Sequence, residues 1–157
     1  MKILISYFYQ IRFFKPYMIP LSTAIYDPEW FHAGMGNDYH YKDKNGVYNG
    51  LRADPFVPVM VENEECCGRE NCTFSYENCV FLKNYYNQLK KLDFAEILKR
   101  FARLGYFIKD TEGFKQEPIM VLIVYETPDN PCSERQMIGR WFLKNGYYLE
   151  EFNKDSF

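Results

Sequence analysis

The chain has 157 residues, of which 47% are hydrophobic and 19% aromatic, enough apolar material to build one substantial core. Its formal charge is −2, so no global field recruits nucleic acid or an anionic membrane surface. No apolar run reaches the ~18–20 residues a membrane-spanning helix needs, and Met1–Phe8 lacks the longer apolar stretch and cleavage site of an export signal.

Lys2–Phe8 is apolar and β-favouring and predicts a buried first strand. Tyr17–Ile25 predicts a second. Pro20 lacks an N–H, so that strand is expected to be interrupted or at an edge. Asp27-Pro28 opens a turn before Trp30 and Phe31. Residues 33–58, with Gly34, Gly36, Gly46, Gly50, Pro55 and Pro58, predict a long irregular connection. Its aromatic content fits a packed binding loop.

Tyr76–Leu92 places Leu82, Tyr85, Tyr86 and Leu89 on one helical face. Asp93, with Glu96 three residues on, predicts the cap of a second helix, with Gly105 as its stop. Pro118–Tyr125 is the most hydrophobic stretch and predicts a central strand buried on both faces. The Pro-Asp-Asn-Pro turn follows. A third helix is expected over about Ser133–Lys144, with Ser133 and Gln136 as a capping box and Asn145-Gly146 as its end. A short strand within Tyr147–Phe152 would then pair in parallel with the preceding strand through a right-handed crossover. The expected fold is a single three-layer-like α/β domain over 1–157. Its small, mostly parallel sheet would be flanked by helices and interrupted by an irregular aromatic and cysteine-containing insertion at 33–79.

Ligands of open α/β sheets bind beyond the carboxyl ends of the strands. That places the first candidate site on the turn after Pro118–Tyr125. Cys132, expected at a helix N-terminus, is a candidate nucleophile. Arg135 could grip a phosphate or carboxylate in a fork, Ser133 lies between them, and Glu126 could serve as an acid, a base or a ribose-hydroxyl acceptor. The alternative is a small buried thiol beside a solvated arginine.

A second candidate is the cysteine cluster Cys66-Cys67, Cys72 and Cys79. Zinc takes four N/S ligands, and Cys67, Cys72 and Cys79 form the best set, with Cys66, Cys132 or a histidine (His32 or His40) as fourth. Buried thiols are the competing reading, for Cys79 above all. Five cysteines without an export signal point to free thiols or metal rather than a disulfide framework. A third candidate is Asn45–Arg52, whose Asn-Gly pairs make tight turns. Asn49, Tyr48 and Arg52, together with Trp30, would then form the walls of the pocket around Cys132. The aromatic stretch Tyr7–Phe14, with Arg12, could stack bases or fill a core.

Taken together, these segments resemble the uncharacterised bacterial and phage family called domain of unknown function 488. Ile5–Phe31 resembles its first strand and Pro-x-Trp-Phe element (Pro28-Glu29-Trp30-Phe31). Gly46–Arg52 resembles a subgroup's Gly-x-x-Asn-Gly-Leu-Arg segment. Cys67, Cys72 and Cys79–Lys83 resemble spaced cysteines leading into Cys-x-Phe-Leu, and Tyr85–Phe94 the helix that follows. Tyr125-Glu126 and Cys132 resemble a Glu followed by Cys-His-Arg. Here that motif reads Cys132-Ser133-Glu134, with Arg135 displaced by one position. The resemblance implies an α/β fold with a shared pocket. The absent histidine shifts the expectation from catalysis to binding.

Three functions follow as expectations. The first is binding of a small nucleotide-like or phosphorylated ligand, suited in a phage to sequestering a signalling nucleotide. The second is an enzyme acting on a nucleotide or glycosidic bond through Cys132 or Glu126. The third is a zinc-stabilised module for nucleic acid or a protein partner, in which the acidic balance disfavours nucleic acid. A cytoplasmic setting without membrane contact is expected, and a homo-oligomer stays open.

Overall fold

The computed structural model describes residues 1–32, 41–59 and 79–157. Five parallel strands form the sheet: β1 (Lys2–Tyr7), β2 (Met18–Ser22), β5 (Leu51–Arg52), β6 (Ile119–Val124) and β7 (Glu150–Glu151). Their order is β5-β2-β6-β1-β7. A separate hairpin joins β3 (Tyr41–Lys42) to β4 (Tyr48–Asn49). The helices are α1 (Glu29–His32), α2 (Val80–Lys90), α3 (Phe94–Glu112) and α4 (Arg135–Lys144). The fold is α/β, and among the described residues no helix is long and apolar enough to cross a membrane.

Central β6 is buried at all six positions. Its alternate residues divide between two cores. Met120, Leu122 and Val124 join Ile3, Ile5, Ile19 and Leu21 beneath α2, α3 and α4. Ile119, Val121 and Ile123 join Leu4 and Met18 on the other face. A 3-10 turn (Phe8–Phe13), Phe31 of α1, Val47 of the hairpin and Phe152 cover that second face. The layers are therefore unequal, with three helices on one side and short elements on the other.

The structure corrects four expectations and sharpens a fifth. Pro20 does not interrupt β2, and the strand is an open edge on its donor side at that position. Thr23 N–H bonds to Ile123 and Ala53 N–H to the Ser22 carbonyl, so odd-numbered β2 residues bond toward β6 and even-numbered ones toward β5. Pro20 thus turns its missing donor to the outer side, below the point where β5 begins pairing at Leu21. Gly105 does not stop α3, which runs on to a left-handed cap at Gly113 (φ 76°). A Cβ on Gly105 would stand 3.0 Å from Met1 Sδ and 3.3 Å from Pro118 Cβ, so this glycine lets the helix approach the sheet closely.

β7 lies parallel to β6 but pairs with β1, which sits between them. The stretch expected to be irregular contains the hairpin, β5 and a 3-10 turn at Asp54–Phe56. Finally, α4 starts at Arg135 rather than Ser133. In place of a capping box, Ser133 Oγ accepts the Arg135 N–H at 3.1 Å.

Asp93 does cap α3, its carboxylate accepting the Glu96 N–H at 3.1 Å. Asp93→Ala is expected to cost about 1 kcal/mol, read as a lower urea midpoint with an unchanged denaturant slope.

Candidate functional site

β2 and β6 are neighbours, yet the chain leaves them toward opposite faces. After β2 it passes to α1, whose Phe31 packs in one core; after β6 it passes to α4, which packs in the other. Such a divergence opens a crevice at the carboxyl ends of the strands. Thr23 closes its base, with N–H and Oγ1 both donating to the Ile123 carbonyl at 2.9 and 3.0 Å. The crevice above holds about 420 Å³. Ile25, Tyr26, Phe81 and Tyr125 give it apolar and aromatic walls, and Glu126, Cys132 and Glu134 supply its polar groups.

The two carboxyls are neighbours, close enough for the Glu126 charge to act on Glu134. Glu134 is buried, and that burial together with the neighbouring Glu126 charge raises its pKa to about 8, against the opposing pull of Arg135. Ser133 Oγ lies 3.3 Å from Glu126 Oε2 and donates to it. The turn is fixed from within: Asn130 N–H donates to the Thr127 carbonyl, and Cys132 N–H to Asn130 Oδ1 at 2.8 Å. Cys132 is a half-buried cysteine in this turn, three residues before α4 and not in its first turn.

Arg135 is buried, not solvated. Its Nη1 donates to the Glu126 carbonyl at 2.6 Å, its Nε pairs with Glu151, and its guanidinium stands 5.8 Å from the Tyr7 ring. It braces the turn from behind and does not line the crevice. Arg52 is likewise engaged, pairing with the fully buried Asp27 carboxylate and donating to the Ala24 carbonyl. Asp27 also accepts from Ser22 Oγ. This knot pins the rim of the crevice.

The remaining expected residues divide between other surroundings. Trp30 and Asn49 line a separate cleft of about 940 Å³ on the opposite face. Asn49 Nδ2 reaches Asp43 at 3.3 Å, and Tyr48 packs against the helical core. The single pocket with Trp30 and the Tyr48–Arg52 loop as walls is therefore two sites, separated by the sheet. Cys79 caps α2, its Sγ accepting the Leu82 N–H at 3.5 Å. Cys66, Cys67, Cys72 and His40 lie outside the described residues, as does any pairing of Cys79 with them. Among the described residues no group of three His, Cys, Asp or Glu side chains is placed to hold a metal ion.

Glu134 is the residue the sequence reading passed over. A signal existed: Glu126 and Glu134 bracket the Pro-Asp-Asn-Pro turn, which brings its two ends together. Comparison with known proteins adds no further guide, since no family model, curated protein or solved structure matches the chain.

Proposed function

We propose that the β2/β6 crevice binds a small nucleotide-like ligand, ring first. The observation that carries this reading is the Glu126–Glu134 pair set in an otherwise apolar and aromatic crevice. A carboxyl pair that keeps one proton between its members presents acceptors to the N–H groups at the edge of a heterocyclic ring, and Tyr125, Tyr26 and Phe81 suit its faces. Arg52 and Arg135 already hold Asp27 and Glu151. Recognition therefore falls on ring and sugar, and a nucleoside should bind at least as well as its phosphate. In a thermal-shift screen of nucleosides and nucleotides, a ligand at one hundred times its Kd is expected to add about 2.7 kcal/mol, a Tm rise of about 5–10 °C. Glu126→Gln should abolish the rise. No shift with any nucleoside or nucleotide, in well-folded protein, overturns the reading.

A second reading is favoured by the same pair. A buried carboxyl that keeps its proton near neutrality beside a second carboxyl is the usual acid–base arrangement of hydrolases. For an N-glycosidic bond, Glu134 would protonate the departing ring nitrogen. Glu126 would take a proton from the water that adds to the anomeric carbon, so one water is consumed per bond broken. Chromatographic release of free base, lost in both Glu126→Gln and Glu134→Gln and kept in Cys132→Ser, supports this reading. Loss in Cys132→Ser alone transfers the chemistry to the thiol.

A further inference from the structure

The face opposite the three helices carries a feature the crevice does not use. In the 3-10 turn Phe8–Phe13, residues three apart eclipse one another. Phe8 and Ile11, with Phe14 beyond, form one buried column. Tyr9 and Arg12 form a second, exposed column, and the Arg12 guanidinium lies 3.6 Å over the Tyr9 ring. The hairpin is tied to this turn by Asn45 Nδ2, which donates to the Arg12 carbonyl at 3.3 Å. From the carboxyl-terminal segment, Lys154 stands 4.8 Å over the Phe13 ring.

Three adjoining clefts of about 940, 620 and 560 Å³ share Phe13. Arg12, Lys15 and Lys154 line them, all exposed and with no ion pair among the described residues. Exposed rings line the same clefts as these cations: Trp30 and Tyr9 with Arg12 in the first, Phe157 with Arg12, Lys15 and Lys154 in the second, Tyr9 with Lys154 in the third. Asp43 is satisfied internally by the Asn45 and Val47 N–H groups. Asp155 and Glu151 line the clefts beside Lys154; Glu151 is held by Arg135, and Asp155 has no ion pair among the described residues.

We propose that this belt is a docking surface for single-stranded nucleic acid, with phosphates at Arg12, Lys15 and Lys154 and bases against the exposed rings and the Arg12 guanidinium plane. Cations and exposed rings lining the same adjoining clefts are what an unpaired strand needs. A duplex hides its base faces, and a phosphopeptide has one charge centre and no use for a series of rings. The net charge of −2 argues only against a global field, and this belt is local.

Fluorescence anisotropy of the intact chain with a labelled twelve-residue oligo-dT tests the proposal. Three phosphate contacts predict a log K against log salt slope of about −2 and about a twentyfold loss from 50 to 200 mM salt. Arg12→Gln with Lys154→Gln should flatten the slope to about −0.7. Asp155→Asn should tighten binding, a gain that misfolding does not mimic. No binding at 50 mM salt overturns the proposal. So does a salt slope unchanged in the double variant, or equal competition by a duplex or by inorganic polyphosphate at matched phosphate concentration. The test is independent of the crevice, because Glu126→Gln should leave oligo-dT binding unchanged.

Discussion

Glu134→Gln is expected to stabilise the protein at alkaline pH by an amount on the order of a few kcal/mol, and to change little at pH 4. The sign follows from the carboxyl pair. Burial of Glu134, and the Glu126 charge beside it, raise its pKa from 4.5 to about 8. Between those values the native chain holds a proton that the unfolded chain releases. The contribution of Glu134 is therefore fully present below about pH 4.5 and is lost as pH rises through about 8. The groups facing Glu134 are Glu126, Arg135 and Tyr85. The Tyr85 hydroxyl is buried, donates to the Phe56 carbonyl at 2.5 Å, and has its pKa pushed well above 10, so it does not titrate there. Glutamine keeps the shape and a donor toward Glu126 without a proton to lose. Urea unfolding at pH 5 and pH 8.5 should show a marked fall for the parent chain and a much smaller one for the variant. Parallel falls would mean that Glu134 is not held as a neutral acid.

That effect marks where sequence reasoning stopped. Strand β6 was legible because six consecutive apolar residues leave few other places to go. The inward faces of α2 and α4 were legible because packing at a 3.6-residue period follows from local spacing: Leu82, Tyr85, Tyr86 and Leu89, and Met137, Ile138, Trp141 and Phe142, are all buried. The cap at Asp93 was legible for the same local reason.

Features that depend on distant residues were not. Gly105 resembles a helix stop until Met1 and Pro118 are seen to crowd it. The pairing of β7 with β1 depends on β1 already occupying the place beside β6. Arg52 and Arg135 read as free cations because their partners, Asp27 and Glu151, stand 25 and 16 residues away. The turn after β6 does bring Glu126 and Cys132 to one crevice. Their company there differs from the expectation, since the group that joins them is an acid and the arginines face elsewhere.

Arg52→Met is expected to cost about 3–5 kcal/mol, because it strips a cation from a buried carboxylate. The Asp27 side chain has no exposed surface, and Arg52 is its ion-pair partner at the end of β5. In a chain whose total stability is about 5–15 kcal/mol, this should lower Tm by about 10 °C. Two further variants separate charge from geometry. Arg52→Met combined with Asp27→Asn should recover much of the loss, since an amide costs less to bury than a carboxylate that has lost this cation. Arg52→Lys should fall between, because an ammonium keeps the charge but not the fork that reaches both Asp27 and the Ala24 carbonyl. A loss below about 1 kcal/mol for Arg52→Met would place the pair among ordinary surface ion pairs. The same knot ties the segment from Ser22 to Asp27, and with it Ile25 and Tyr26, to β5. The proposed crevice ligand should therefore bind more weakly to Arg52→Lys even at temperatures where that variant is fully folded, while Asp93→Ala, which weakens α3 away from the rim, should bind it as the parent chain does.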